Sequence, residues 1–147
     1  MIKRKTLIIS MGLACVMGAI GILVGRLAYQ VRQGVKATEQ FVAMPPQYHE
    51  QFALACDTLL AAYPRSEVRP VAGSPAPGPA LSAIIEQTKP RRIMIQPGRV
   101  EVSIQGVARL GCNVIWRENP EKKGEWILTV WGADSRHVVY TRPAHPQ

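Results

Sequence analysis

The feature that most constrains this chain is the uncharged run at residues 6–25, TLIISMGLACVMGAIGILVG. As a helix with a rise of about 1.5 Å per residue, this run would span about 30 Å, the thickness of the hydrocarbon core of a bilayer. Lys3, Arg4 and Lys5 precede the run, and Arg26 follows it. The run therefore predicts a transmembrane helix over residues 6–25.

Two other targeting segments would also explain an apolar N-terminus. A cleaved signal peptide has an apolar region of about 7–15 residues, followed closely by a small-x-small cleavage site. Here the run leads directly into Arg26, and the nearest such pattern is at residues 35–37. A lipoprotein signal would use Cys15, but Gly12 occupies the position where a bulky apolar residue is expected. Both alternatives fit less well than a retained anchor.

The charges that flank the run predict its orientation. Three basic residues are packed together at positions 3–5, whereas Arg26 stands alone at the other boundary. Because the side with the denser positive charge stays in the cytoplasm, we expect residues 1–5 to be cytoplasmic. The long C-terminal part would then lie in the periplasm, outside a bacterial inner membrane.

Small residues recur along one face of the predicted transmembrane helix. Their spacings of four, three and four residues are helical, and the last two form a GxxxG pair; the residues are Ala14, Gly18, Gly21 and Gly25. Such a face lets a second helix approach closely. Glycine is also common in membrane helices that have no partner. The pattern therefore fits self-association of the helix and also a face that takes no part in helix packing.

The net charge of +8 raises the question of a nucleic-acid partner. Six of the 18 Lys and Arg residues lie in residues 1–36, which contain no acidic residue. Residues 45–147 contain the other 12, together with nine of the ten acidic residues. The domain is therefore only mildly basic, and we expect no nucleic-acid partner.

Two helical segments follow the anchor. Apolar residues continue at helical spacing through residues 26–44, which predicts a helical stalk that ends at Pro45-Pro46. A second helix is predicted over 46–63, since proline suits a first helical turn. Its apolar residues form a single stripe, namely Tyr48, Phe52, Cys56, Leu59 and Tyr63.

The rest of the chain predicts a loop and an antiparallel sheet. Residues 64–80 contain five prolines and predict an exposed Pro-rich loop, and residues 81–88 predict a short helix. Alternating apolar residues or turn-bounded apolar runs then predict strands at 91–96, 99–105, 110–116, 125–131 and 137–141. Their short connections force antiparallel neighbours.

The predicted fold class is therefore α+β. An N-terminal transmembrane helix is extended by a stalk, and a second helix packs on a four- to five-stranded antiparallel meander. Residues 45–147 form the extracytoplasmic domain. Because one face of such a sheet must be covered, the apolar stripe of the second helix is the expected cover.

The three cysteines differ in their surroundings. Cys15 lies in the predicted membrane segment, Cys56 on the stripe of the second helix, and Cys112 on the apolar face of a strand. If that helix packs on the sheet, Cys56 and Cys112 face the same core and predict a disulfide in an oxidising compartment. The alternative is a pair of unpaired core cysteines, which are common among buried residues.

The sequence contains no specific catalytic, cofactor-binding or metal-binding constellation. It has no GxSxG, Walker, GxGxxG or HExxH motif, and its histidines lack partners at zinc spacing. Arg91, Arg92 and Arg99 predict a basic patch near one hairpin, although exposed charges also protect sheet edges from aggregation.

The predicted function is that of a single-pass membrane protein whose non-enzymatic domain takes part in protein–protein interaction or the assembly of a membrane complex. Its expected partners are the lipid bilayer, another envelope protein and a second copy of its own helix. The alternative is an envelope enzyme or ligand-binding domain that uses a groove between helix and sheet. A filled helix–sheet interface would favour the first function, and a deep polar cleft the second.

Overall fold

The computed structural model describes residues 2–63, 67–70, 82–105, 110–133 and 135–143, with the backbone alone for residues 2–10 and 67–70. Within these described residues, three helices and six strands make up an α+β fold. The helices are α1 (Ile2–Val42), α2 (Pro46–Ala62) and α3 (Ala83–Gln87). The strands are β1 (Glu67–Pro70), β2 (Arg92–Gln96), β3 (Arg99–Gln105), β4 (Cys112–Glu118), β5 (Trp126–Trp131) and β6 (Arg136–Arg142).

The first helix, α1, is continuous over its 41 residues. Its stretch Met11–Val42 is long and apolar enough to cross a membrane, and no part of its most apolar window is buried. Beyond residue 30 the helix changes character, because Gly34, Thr38 and Phe41 are buried at intervals of three to four residues. The N-terminal part of α1 is therefore exposed and apolar, and its C-terminal part packs on the rest of the protein.

The second helix begins with Pro46, as its sequence predicts, and ends before Tyr63. Phe52, Cys56 and Leu59 of the predicted stripe are buried, while Tyr48 and Tyr63 are partly buried. A buried histidine fixes the angle between α1 and α2. The ring of His49 stacks on Phe41, and its Nε2 atom hydrogen-bonds to the Phe41 carbonyl oxygen at 2.8 Å.

The sheet is a meander in which every strand pairs with its neighbours in sequence, all antiparallel, in the order β1 to β6. Strands β2 to β6 correspond to the five predicted strands. The sixth, β1, lies within residues 64–80, where the sequence predicted a Pro-rich loop. It pairs through its backbone with β2, from Glu67 opposite Ile95 to Pro70 opposite Arg92.

The core lies between the sheet and two helices rather than one. Inward residues of the sheet, among them Val100, Trp116 and Leu128, are fully buried. Both α2 and the C-terminal part of α1 pack on this inner face, so the segment predicted as a stalk also covers the sheet. The absence of a side chain at Gly34 permits this packing, because a Cβ atom there would lie 2.9 Å from the Leu110 carbonyl oxygen.

Candidate functional site

The interface between α2 and the sheet is filled by large apolar side chains. Phe52 on the helix and Trp116 and Leu128 on the sheet have no exposed surface. Phe41 and Tyr48 pack edge-on or tilted against Phe52, with ring centroids 5.2 and 6.4 Å away. In the described part of the chain, this interface therefore leaves no room for a ligand.

A polar cluster closes one end of the same interface. The Trp116 indole Nε1 donates to the Asp57 carboxylate at 2.8 Å, and Arg142 forms an ion pair with the other oxygen of that carboxylate. The Arg142 guanidinium also lies 5.1 Å from the centre of the Trp116 ring and 6.0 Å from that of Trp126. All these groups satisfy one another, so the cluster joins α2 to β4 and β6 rather than presenting a reactive group.

Cys56 and Cys112 are free thiols, so the predicted disulfide does not form in the structure. Both are buried, and burial raises the pKa of each thiol. Their surroundings in the core differ. Thr38 of α1 lies near the Cys112 end of β4, since a Cβ atom on Gly132 would lie 3.1 Å from its hydroxyl oxygen and the preceding Trp131 pairs with Asn113. Cys56 instead adjoins Asp57, whose carboxylate reaches Trp116. Trp116 is four residues from Cys112 along β4, which corresponds to about 13 Å.

The outer face of the sheet, opposite the helices, carries three arginines on adjacent strands or strand ends. Arg99 pairs in register with Arg117, and Arg136 lies on β6 beyond β5. Desolvation lowers the pKa of Arg117, and the positive charges of Arg136 and Arg99 lower it further. Arg99 and Arg117 therefore lie side by side, whereas Arg136 lies two strands away and about 13 Å further along the strands, opposite Trp131. We call Arg99, Arg117 and Arg136 the outer arginine cluster.

Apolar and neutral side chains form a floor beside the outer arginine cluster. Ile115, Ile127 and Thr129 point outward yet are only 7%, 3% and 0% exposed. The Trp131 indole Nε1 donates to the Thr129 hydroxyl at 3.3 Å, which places the ring over this floor. Such a surface combines positive charge with an apolar base.

The outer arginine cluster has only partial compensation for its charge. Arg99 donates to Glu101 at 2.7 Å, and the Arg136 guanidinium lies 5.3 Å from the centre of the Trp131 ring. The Nε atoms of Arg99 and Arg117 are buried and have no hydrogen-bond partner among the described residues. Buried donors without an acceptor are costly, so a bound carboxylate or phosphate would be favoured here.

The predicted basic patch of Arg91, Arg92 and Arg99 is divided by the structure. Arg92 and Arg99 both lie on the β2–β3 hairpin, but Arg92 is opposite Ser103 and Arg99 is opposite Gln96. They are therefore about 13 Å apart along the strands. Arg91 lies against α1, where it lines a groove. Sequence proximity thus predicted one patch, whereas the register of the strands places Arg99 beside Arg117.

The predicted association face on α1 is open. Ala14, Gly18, Gly21 and Gly25 are exposed, and a Cβ atom on any of these glycines would meet nothing within 4 Å. Its role as an association face stays a prediction.

Three open grooves lie on the helical side of the molecule. One of about 380 Å³ runs between the ends of α1 and α3 and includes Lys36, Met44, Thr88 and Lys89. A second, of about 410 Å³, lies between α2 and α3. The third, of about 430 Å³, lies between α1 and the sheet near residue 26. None of the described residues that line these grooves is a histidine, cysteine or carboxylate.

The described residues also contain no group of three or more His, Cys, Asp or Glu side chains that could hold a metal ion. The sequence prediction missed Arg117 and Arg136, which lie at outward positions of alternating strands. Alternation identifies the face on which each arginine lies, but only the register shows that Arg117 lies beside Arg99 and that Arg136 lies opposite Trp131 on the same face.

Comparison of the chain with protein-family models, with curated proteins and with solved structures finds no match.

Proposed function

We propose that this chain is a single-pass protein of a bacterial inner membrane whose periplasmic domain binds another envelope protein during the assembly of a membrane complex. The non-enzymatic domain would be held at the membrane by residues 6–25. The long, exposed apolar part of α1 supports the anchor. Self-association through Gly21 and Gly25 is a further part of this proposal.

The outer arginine cluster carries the proposal of a protein partner. It places three positive charges beside a buried apolar floor on the sheet face that α1 and α2 leave uncovered. Interfaces of this type combine a desolvated centre with arginines at its border. The charge favours an acidic segment of the partner, since carboxylates match the planar guanidinium group.

The filled interface between α2 and the sheet favours this function over the alternative of an enzyme or ligand-binding domain. That alternative requires a groove between helix and sheet that brings polar groups together. Phe52 and Trp116 occupy the corresponding space, and the polar groups beside them are paired with one another.

Photocrosslinking in intact cells tests the partner surface. A photoreactive residue is placed at Val138, on the outer face, or at Leu54, on the exposed face of α2; both side chains are 54% exposed. We expect a crosslinked partner from position 138 and not from position 54. The R117Q/R136Q variant should remove that product, and the matched variant K122Q/K123Q should retain it. Equal crosslinking from both positions, or a product that survives R117Q/R136Q, would contradict the proposed surface.

Self-association has a separate test. Leucine inserts well into membranes but blocks close helix approach. G21L and G25L should therefore insert normally and reduce the recovery of differently tagged copies of the full chain in detergent. Unchanged recovery in both variants would show that these glycines have no packing role.

A further inference from the structure

Two members of the outer arginine cluster lie directly opposite each other on neighbouring strands. Arg99 of β3 pairs in register with Arg117 of β4, and both side chains lie on the outer face of the sheet. Directly opposite residues of antiparallel strands have Cβ atoms about 4.5–5.5 Å apart, and like charges in this arrangement destabilise a sheet. The pair therefore costs stability until an anion offsets its charge.

The two guanidinium groups also have donors without acceptors. The Nε atoms of Arg99 and Arg117 are buried and have no hydrogen-bond partner among the described residues. Of the described carboxylates, only Glu101 lies within ion-pair distance of either group, and it binds the Nη2 atom of Arg99 at 2.7 Å. Arg117 therefore has no counter-ion in the part of the chain that the structure describes.

Apolar side chains flank Arg117 on the outer face. Ile127 lies directly opposite it on β5, Ile115 is the preceding outward residue of β4, and both are buried. Burial lowers the pKa of Arg117, and the positive charges of Arg136 and Arg99 lower it further. The pair is nevertheless open to solvent, since the Arg99 side chain is 35% exposed and Arg117 is partly exposed. An anion can therefore reach a place where ion pairs are stronger than in bulk water.

We propose that Arg99 and Arg117 together bind one carboxylate group of the partner's acidic segment, with one oxygen directed at each guanidinium group. This inference rests on the proposed function, because the carboxylate belongs to the proposed envelope partner. Carboxylates match the planar guanidinium group and form short, charge-assisted hydrogen bonds with it. Arg136 lies outside this site, because it is two strands from Arg117 and its guanidinium lies 5.3 Å from the centre of the Trp131 ring.

Glu101 makes the site selective for a singly charged anion. Two guanidinium groups and one carboxylate give the site a net charge of +1. Attraction to this net charge rises in proportion to the charge of the ligand, whereas the cost of removing the ligand from water rises with the square of that charge. A carboxylate is therefore favoured over a doubly charged phosphate at this partly buried pair.

The test follows the Nε–H signals of both arginines by NMR, in the full chain with isotope-labelled arginine in a neutral detergent. Sodium acetate and methyl phosphate are the probes. Each replaces sodium chloride at constant ionic strength and about pH 7.5, where a phosphate monoester is doubly charged. We expect both signals to shift to saturation with one dissociation constant, and acetate to bind more tightly than methyl phosphate. E101Q should move this preference toward methyl phosphate by about tenfold.

Variants of Arg117 separate a site from general attraction. R117Q should weaken acetate binding about tenfold, measured at the Arg99 signal. R117K keeps the positive charge but lacks the planar group, so it should also bind acetate more weakly than the wild type. R92Q is the matched control, because it removes the same charge from the same face about 13 Å along the strands from Arg99, and it should leave acetate binding unchanged. Unchanged tryptophan fluorescence shows that each variant is folded.

Three outcomes would overturn the carboxylate site. Signals that do not saturate, or an equal loss of acetate binding in R92Q, would show attraction by net charge rather than a site. Equal acetate binding by R117K and the wild type would show that the planar pair is not recognised. Methyl phosphate that binds the wild type as tightly as acetate does would contradict the selectivity that we assign to Glu101.

The photocrosslinking experiment separates this inference from the proposed function. A crosslink from position 138 that R117Q/R136Q removes, together with a failure to bind acetate, would contradict the carboxylate site alone. Selective acetate binding without any crosslinked partner would support the site and contradict the proposed function.

Discussion

Asp57 joins α2 to the sheet through two side chains that are distant from it in sequence. Trp116 and Arg142 are separated from it by 59 and 85 residues. Helical periodicity puts this aspartate beside the apolar stripe of α2, and its side chain is partly exposed at the border of the core. Periodicity shows which face a residue occupies, but it carries no information about a partner on another element.

Removal of the Asp57 carboxylate should destabilise the domain. In D57A the Trp116 indole N–H and the Arg142 guanidinium both lose their acceptor. We expect the free energy of unfolding to fall by about 2–3 kcal/mol, and by less in D57N, which keeps one acceptor oxygen. Urea unfolding of the full chain in detergent, followed by tryptophan fluorescence, measures this. E50A, an exposed acidic residue on the same helix, is the control; equal midpoints for D57A and E50A would contradict the role of Asp57.

Sequence patterns predicted the burial of Cys56 and Cys112 but could not show whether the two residues are bonded. The patterns placed Cys56 and Cys112 in one core, and both are indeed buried there. A disulfide also requires Cα atoms within about 7 Å of each other. Both thiols are free in the structure, and neither helical periodicity nor strand alternation carries information about the distance between them.

Thiol labelling distinguishes free cysteines from a disulfide. The thiolate is the reactive form, and burial raises the pKa of both core thiols. We expect Cys56 and Cys112 to resist a maleimide in the folded protein. After denaturation without reductant, all three cysteines should be labelled, as measured by mass. If only Cys15 is labelled until a reductant is added, the two core cysteines are linked in solution.

The same pKa shifts predict a loss of stability at alkaline pH. A thiol whose pKa is raised by folding keeps its proton in the folded state, while the unfolded state loses it above about pH 8.5. Its contribution to stability is therefore fully present below that pH and decreases above it. Between about pH 7.5 and about pH 9.5, wild type should lose more stability than C56A/C112A. Parallel pH profiles from urea unfolding would contradict this.

Among the contacts between secondary-structure elements, Gly34 lies where α1 packs on the backbone just before β4. A glycine within a helix costs about 1 kcal/mol relative to alanine, so helix propensity alone favours a break at this position. In the structure the helix is continuous, and the glycine lies against the Leu110–Gly111 backbone. Helix propensity alone cannot show such a contact, because it depends on what the helix packs against.

G34A should therefore destabilise the protein although alanine is the better helix former. Its Cβ atom would meet backbone atoms at 2.9 and 3.0 Å, and backbone cannot rotate away as a side chain can. We expect a loss of about 1–3 kcal/mol, measured by urea unfolding. G25A is the matched control, because a Cβ atom there meets nothing within 4 Å. A gain in stability for G34A would show that α1 does not pack closely on this turn.

The strands were predictable to different degrees for a physical reason. In β3, Val100, Val102 and Ile104 alternate with polar residues, so one face was evident from sequence. The strand β1 ends in a proline within a Pro-rich segment. As an edge strand it needs hydrogen bonds on one side only, which proline tolerates. Its composition therefore resembled that of a loop.

At the scale of the whole molecule, the arrangement of arginines depends on assembly of the complete sheet. Arg99 and Arg117 become neighbours only through the register of β3 with β4, and Arg136 reaches the same outer face only when β6 pairs with β5. Arg91 and Arg92, adjacent in sequence, instead lie toward α1 and at the far end of the hairpin. The charge of the domain was predictable from sequence, but its distribution over the surface was not.

The orientation of the whole chain is the last prediction, and it depends on charges at the two ends of residues 6–25. Three basic residues at positions 3–5 oppose Arg26 alone, so the C-terminal domain should lie in the periplasm. A periplasm-active reporter fused after Gln147 should be active, and a cytoplasm-active reporter should be silent. K3Q/R4Q/K5Q removes the charge difference and should shift part of the population to the opposite orientation, whereas K122Q/K123Q should not. Cytoplasmic activity of the wild-type fusion would contradict both the proposed localisation and a periplasmic partner for the outer arginine cluster.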